Sequence, residues 1–226
     1  MLTAIVLLAV TKPLNILFVG NSLLMFNDVP TMVTNMLNTD GAGRHVTFKS
    51  YFVGHLEDVE PNTQVDREVS SGNYDVVVLQ SAMVSSSLSR TYAQTRGIAM
   101  AQAAKAKGAR VLLYVEWPRR GIDETNYTMN VYRGIANAAG SEIIPVCYAW
   151  NSVVEKAPSV SMWNADGNHA VLEGSYLAAC CVYFHIAGTD RNPAWRPNNV
   201  DASFASLCVS EAKTLEKRVL AKKGRV

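Results

Sequence analysis

The chain has 226 residues, 49% of them apolar, and 21 basic against 19 acidic side chains give a formal charge of +2. That length and apolar share suit one α/β domain, residues 1–226, with a substantial core. The near-neutral charge gives no electrostatic footprint for nucleic acid, residues 217–225 reading as the basic end of a solvated helix. No apolar run reaches the roughly 20 residues that a membrane span needs, so a soluble protein is expected.

Residues 1–10 are apolar like the core of a signal peptide, but they lack a positive start and a clear small-x-small cleavage site before Lys12-Pro13. The protein is expected to be secreted or periplasmic if this segment is a signal, and cytoplasmic otherwise. After it, apolar runs over residues 15–20, 46–53, 75–80, 110–116 and 143–148 read as strands. Most are continuously apolar, which suits strands covered on both faces. Between them, residues 30–37, 92–107 and 126–139 have helical apolar spacing, and Gly108 supplies a stop after the second. A polar loop at 163–169, a buried helix at 170–186 and a covering helix at 202–220 complete the order.

Repeated β-then-α order implies a mostly parallel five-stranded sheet with right-handed crossovers, because a parallel connection must be long enough to hold a helix. The expected architecture is a flavodoxin-like three-layer α/β/α sandwich. In such sheets ligands bind outside the carboxyl ends of the strands, where Ser22, the Val53-Gly54 turn and Gln80 would emerge. Cys147, Cys180, Cys181 and Cys208 show no C-x-x-C pair and lie in apolar stretches. They read as buried free thiols, with a single bridge involving Cys208 as the alternative.

Two short segments carry the chemistry. Ser22 directly follows the first strand behind Gly20, so a tight turn can present its hydroxyl at the sheet edge. Far along the chain, Asp166 and His169 are close enough in sequence for one loop to direct both side chains toward that serine. A serine hydroxyl needs an imidazole to take its proton, and the imidazole needs a carboxylate to fix its tautomer. Ser22, His169 and Asp166 supply the three. The alternatives are that Asn21-Ser22 only caps a helix, and that Asp166 or Asn168 does the same near an exposed His169. His45, His55 and His185 suit structural or surface roles. The four histidines are scattered without ligand spacing, so no metal site and no cofactor are expected.

Gly20-Asn21-Ser22-Leu23 and Asp166-Gly167-Asn168-His169 resemble the first and last blocks of the SGNH hydrolases, also called GDSL esterases, which read Gly-Asp-Ser-Leu and Asp-x-x-His. The resemblance implies a serine esterase with Ser22, His169 and Asp166 as its triad. It also implies an oxyanion hole built from the N–H groups of Ser22 and Gly54, Gly54 standing where that family has its second-block glycine. The third block departs from the family: Leu79-Gln80-Ser81-Ala82 stands where Gly-x-Asn-Asp is usual. Gln80 carries the same carboxamide on a longer stem, so it is the expected third oxyanion donor, with a structural amide as the alternative. Asn21 replaces the family's aspartate and is expected to brace the loop.

The superfamily acts on many esters, and the absence of a long apolar lid favours a shallow site and a small acyl group, such as acetyl on a carbohydrate. Trp117, Arg119, Arg120 and Trp163 would line a sugar-binding rim, or else serve as packing residues and a solvated turn. The alternatives to an acetylesterase are a lipase or thioesterase of the same fold and a noncatalytic carbohydrate-binding module. The sequence leaves the oligomeric state open.

Overall fold

Both faces of each central strand are covered by helices, which is why the apolar runs are continuous. The computed structural model describes residues 13–223, with side chains described through residue 217, so the signal-like segment 1–10 lies outside the described residues. Strands β1 (Leu14–Gly20), β2 (Val46–Phe52), β3 (Val76–Leu79), β4 (Arg110–Tyr114) and β5 (Glu142–Ile144) form one parallel sheet in the order β2-β1-β3-β4-β5. Along β1, Ile16 and Phe18 enter one core and Leu17 and Val19 the other, and all four are fully buried. The period-2 alternation of a strand thus supplies apolar side chains to two layers at once.

The helices are α1 (Ser22–Met25), α2 (Val29–Thr39), α3 (Gln64–Val69), α4 (Thr95–Ala106), α5 (Thr125–Ala139), α6 (Val146–Lys156), α7 (Leu172–Ala187) and α8 (Ala202–Lys223). Helices α2, α6, α7 and α8 cover one face of the sheet, and α3, α4 and α5 cover the other. The expected three-layer α/β/α sandwich is what forms. The sheet order places β1 between β2 and β3, so the chain leaves β1 in one direction and returns on its other side. That reversal opens the crevice in which the site lies.

The structure corrects the expected fifth strand. It ends at Ile144, and Pro145, which has no N–H to give to the ladder, becomes the N-cap of α6. Val146, Cys147, Ala149, Trp150 and Val153 then turn inward at helical spacing. Helix α3 is also absent from the sequence reading, being only six residues long.

Helix α7 is buried continuously from Gly174 to His185 and packs against α2, α6 and α8, which accounts for a sequence apolar on every side. Near its end His185 Nδ1 lies 2.6 Å from Glu216 of α8, and Arg110 of β4 holds Glu142 of β5 through two bonds of 2.8 and 2.7 Å. The buried imidazole is thus paired through Nδ1, while Nε2 forms no hydrogen bond and lies 3.3 Å from the Glu142 carboxylate. All four cysteines are buried and free, and burial raises their thiol pKa values. Among the described residues no helix is long and apolar enough to cross a membrane.

Gly174 marks the tightest helix contact. A Cβ there would lie 2.5 Å from Trp150 Cη2 and 2.7 Å from the Met162 carbonyl oxygen. Alanine gains about 1 kcal/mol in helix propensity, but overpacking of this kind costs about 1–3 kcal/mol, and a backbone carbonyl cannot swing aside. The upper part of that cost applies, leaving a net loss of about 1–2 kcal/mol, so Gly174→Ala is expected to lower the melting temperature by roughly 2–8 °C at this chain length, measured by thermal unfolding followed by circular dichroism.

Candidate active site

Three side chains from opposite ends of the chain form one hydrogen-bonded line. Ser22 is the first residue of α1, immediately beyond β1, and Asn21 is the N-cap whose side-chain oxygen accepts from the N–H of Leu23 at 2.9 Å. The cap role thus falls to Asn21, and the Ser22 hydroxyl is free to point outward. As the first helical residue, Ser22 has no carbonyl one turn back for its own N–H.

His169 comes from the loop before α7. Its backbone is pinned by an antiparallel bridge between Trp163 and Ala170, a 2.8 Å bond from the Asn164 N–H to the His169 carbonyl, and another from the Arg120 N–H to the Gly167 carbonyl. Asp166 does two jobs within this loop. Oδ1 accepts from the N–H groups of Asn168 and His169 at 2.9 and 3.0 Å, and Oδ2 lies 2.6 Å from His169 Nδ1. A carboxylate only accepts, so Nδ1 carries the proton and Nε2 is left as an acceptor. Nε2 stands 2.8 Å from Ser22 Oγ, in position to receive its proton.

Beneath this line lies a buried polar network joining four strand ends. Gly20 lets it close: a Cβ there would lie 2.6 Å from Gln80 Oε1, and that oxygen instead accepts from the Asn21 N–H at 2.8 Å. Glu116, just past β4, accepts from the Tyr132 hydroxyl at 2.6 Å and faces Gln80 Nε2 at 3.5 Å. Burial raises the Glu116 pKa, and hydrogen bonds from Tyr132 and Gln80 partly offset it. The Tyr132 oxygen in turn accepts from the N–H groups of Ser81 and Ala82.

Gln80 is the residue that the structure places differently from the sequence reading. It is fully buried, with its carboxamide oxygen taken by Asn21 and its nitrogen directed at Glu116, so it supports the serine turn from below instead of facing the crevice. Gly54 does emerge at the adjoining strand end, with its carbonyl accepting from Ser81 Oγ at 2.5 Å.

The tryptophans pack. Trp117 stacks on Trp150 with ring centroids 4.4 Å apart, and the indole N–H groups of Trp117 and Trp163 donate to the Asn168 and Pro118 carbonyls. Arg119 is held by Glu124, and Arg120 donates to the Ala165 carbonyl. Trp117, Arg120 and Trp163 thus brace the His169 loop. The aromatic beside the imidazole is Phe26, 46% exposed, with its ring centroid 5.5 Å from that of His169. Asn27, at φ 56°, fixes its position by donating to the Ala170 carbonyl and to Ser175 Oγ. A cavity of 240 Å³ walled by Val53, Gly54, His55, Val59 and Val65 adjoins the site without including Ser22 or His169. Of the hydrogen-bonded line itself, Ser22 and His169 are half-buried and Asp166 is exposed.

Sequence reasoning missed Phe26, Ser81, Glu116 and Tyr132. A glutamate closing the apolar fourth strand was a visible signal, since a buried carboxyl demands a partner. Nothing local indicated that the partner would be Tyr132 on α5.

No protein-family model and no curated protein matches the sequence. Solved structures do match. A protein of Slackia heliotrinireducens assigned provisionally to the SGNH hydrolases is 23% identical, with 77% of this chain and 100% of that chain covered at a TM-score of 0.58. An acetylxylan esterase from Geobacillus stearothermophilus is 14% identical over 78% of this chain and 94% of its own, with a TM-score of 0.57. The chain has the SGNH-hydrolase fold. A psychrotrophic esterase from Pseudoalteromonas sp., solved with monoethylphosphonate as inhibitor, shares that SGNH fold at 14% identity and a TM-score of 0.55, over 77% of this chain and 97% of its own. Solved catalytic mutants of the acetylxylan esterase replace a histidine and an aspartate with the spacing that His169 and Asp166 have here.

The hydrogen bonds from His169 and from the Asn168 N–H lower the Asp166 pKa from 3.8 to about 2. Its folded value thus lies below the unfolded one. The contribution of this carboxylate to holding the loop is fully present above about pH 4 and is lost as pH falls toward 2. A carboxyl-carbon NMR titration should find Asp166 ionised at pH 3, where an ordinary aspartate is mostly protonated.

Proposed function

We propose that this protein is a serine esterase that hydrolyses short acyl esters, acetyl groups on carbohydrate above all, with Ser22 as nucleophile, His169 as general base and acid, and Asp166 as its orienting carboxylate. The observation that carries the reading is the continuous pair of hydrogen bonds, 2.8 Å from Ser22 to His169 and 2.6 Å from His169 to Asp166. The SGNH fold adds support, because the solved structures that share it include an acetylxylan esterase and other esterases.

His169 Nε2 takes the Ser22 proton as Oγ attacks the ester carbonyl, and Asp166 stabilises the imidazolium that results. The negative oxygen of the tetrahedral intermediate is received by the N–H groups of Ser22 and Gly54. The imidazolium then returns its proton to the leaving alcohol oxygen. Water, deprotonated by the same imidazole, attacks the acyl-serine, releases the carboxylic acid and restores Ser22.

Two features favour a bulky alcohol and a small acyl group. Ser22 and His169 are only half-buried and Asp166 is exposed, so an ester projecting from a large molecule can reach them. The alcohol must also sit beside His169 to receive its proton, and the exposed ring of Phe26 lies against that imidazole. An aromatic face suits the C–H face of a sugar ring, whereas a small aliphatic alcohol would barely touch it.

Release of acetate from acetylated xylooligosaccharides and of nitrophenol from p-nitrophenyl acetate tests the reading. Ser22→Ala is expected to lower kcat by about 10⁴-fold or more, and a phosphonate ester should label wild-type Ser22. A folded wild-type protein that cleaves none of a broad panel of esters refutes the esterase and favours a carbohydrate-binding module. Phe26→Ala is expected to raise KM for the acetylated oligosaccharide by about 3- to 10-fold, the size of one aromatic contact, while KM for ethyl acetate stays within about twofold.

A further inference from the structure

Ser81 is a buried serine, 1% exposed, that forms hydrogen bonds in four directions at once. Its N–H donates to Tyr132 Oη at 3.0 Å, and its carbonyl accepts from the Leu56 N–H at 2.8 Å. Its hydroxyl accepts from Asn21 Nδ2 at 2.8 Å and donates to the Gly54 carbonyl at 2.5 Å. One side chain therefore bridges the residue before Ser22 and the glycine across the crevice from it. Both segments end in N–H groups assigned above to the oxyanion.

The backbone of Ser81 is held against its own preference. Its φ is +81°, in the region that a side chain disfavours and glycine accepts. The Tyr132 oxygen imposes this conformation by taking the N–H groups of both Ser81 and Ala82, and Glu116 fixes that oxygen from behind. A glycine would satisfy the backbone with no strain. What glycine cannot supply is the hydroxyl. Strain kept at a residue whose side chain links two parts of a site marks a functional requirement at that residue.

We infer that Ser81 is a positioning residue for the oxyanion hole, its hydroxyl setting the distance between the Gly54 N–H and the Ser22 N–H. Ser81 is buried and its oxygen is occupied on both sides, so it touches no substrate and acts only through Asn21 and Gly54. The inference rests on the esterase reading of the site and deepens it. Oxyanion donors are useful only when aimed at the position that the charged oxygen occupies in the transition state. A loosened Gly54 peptide should therefore reduce kcat and leave ground-state binding alone.

Ser81→Gly and Ser81→Ala separate the hydroxyl from the backbone. Both remove the same two hydrogen bonds, but only alanine keeps the strained φ, so Ser81→Gly should melt at a higher temperature than Ser81→Ala. With p-nitrophenyl acetate, both are expected to lose about 10- to 100-fold in kcat, less than the 10²–10³ that complete loss of one donor brings, with KM within about twofold of wild type. Equal activity loss at unequal stability supports the positioning role. If kcat of Ser81→Gly stays within twofold of wild type, or recovers relative to Ser81→Ala in step with melting temperature, the role is overturned while the esterase stands. A wild-type protein inactive on every ester removes the esterase reading and this inference together.

Discussion

A 2.8 Å hydrogen bond joins Ser22 to His169 across 147 positions of sequence, and most of the architecture bears on keeping it. The serine side depends on β1 lying inside the sheet, where pairing with β2 and β3 fixes the height at which the chain leaves the strand. The histidine side depends on α7, whose continuous burial anchors the end of the loop that carries His169. Asn27 ties the two sides directly, its amide donating from the segment after Ser22 to the Ala170 carbonyl and to Ser175 on α7. A side chain on the first segment thus reports the position of the second.

The site is built as two tiers with different physical demands. The upper tier, Ser22, His169 and Asp166, is partly exposed, and hydrogen bonds from His169 and from the Asn168 N–H keep Asp166 ionised. The lower tier, Asn21, Gln80, Ser81, Glu116 and Tyr132, is largely buried and mostly neutral in side-chain type. Its polar atoms gain from one another what they lose in leaving water. Glu116 is the exception in charge, and burial draws its pKa upward while Tyr132 and Gln80 hold it in place. A fully connected network of this kind specifies one loop arrangement, because any alternative leaves a buried polar group unpaired.

Asn21 and Gln80, where the sequence differs from the SGNH blocks it resembles, make physical sense within this tier. Asparagine in place of aspartate at position 21 supplies an amide that both caps α1 and donates to Ser81, and a carboxylate could not donate. The Gln80 side chain reaches the Asn21 N–H past Gly20, where any side chain would collide. Asn21, Gln80 and the neighbouring Ser81 form one connected set.

Sequence alone determined the alternation of strands and helices, the parallel sheet, and the two motifs bearing Ser22, Asp166 and His169, because each is written in local apolar spacing or in residues a few positions apart. It misjudged residues 143–148, where an apolar run served a short strand and then a helix, and periodicity over six residues cannot separate the two. It also aimed Gln80 at the crevice, since residue type reveals hydrogen-bonding capacity but not direction. Only the tertiary structure decided that direction, along with the pairing of Glu116 with Tyr132, the strain at Ser81 and the seat of Phe26 against His169. Those features arise where four strand ends and a distant loop meet, and contact between segments far apart in the chain leaves no periodic trace in either one.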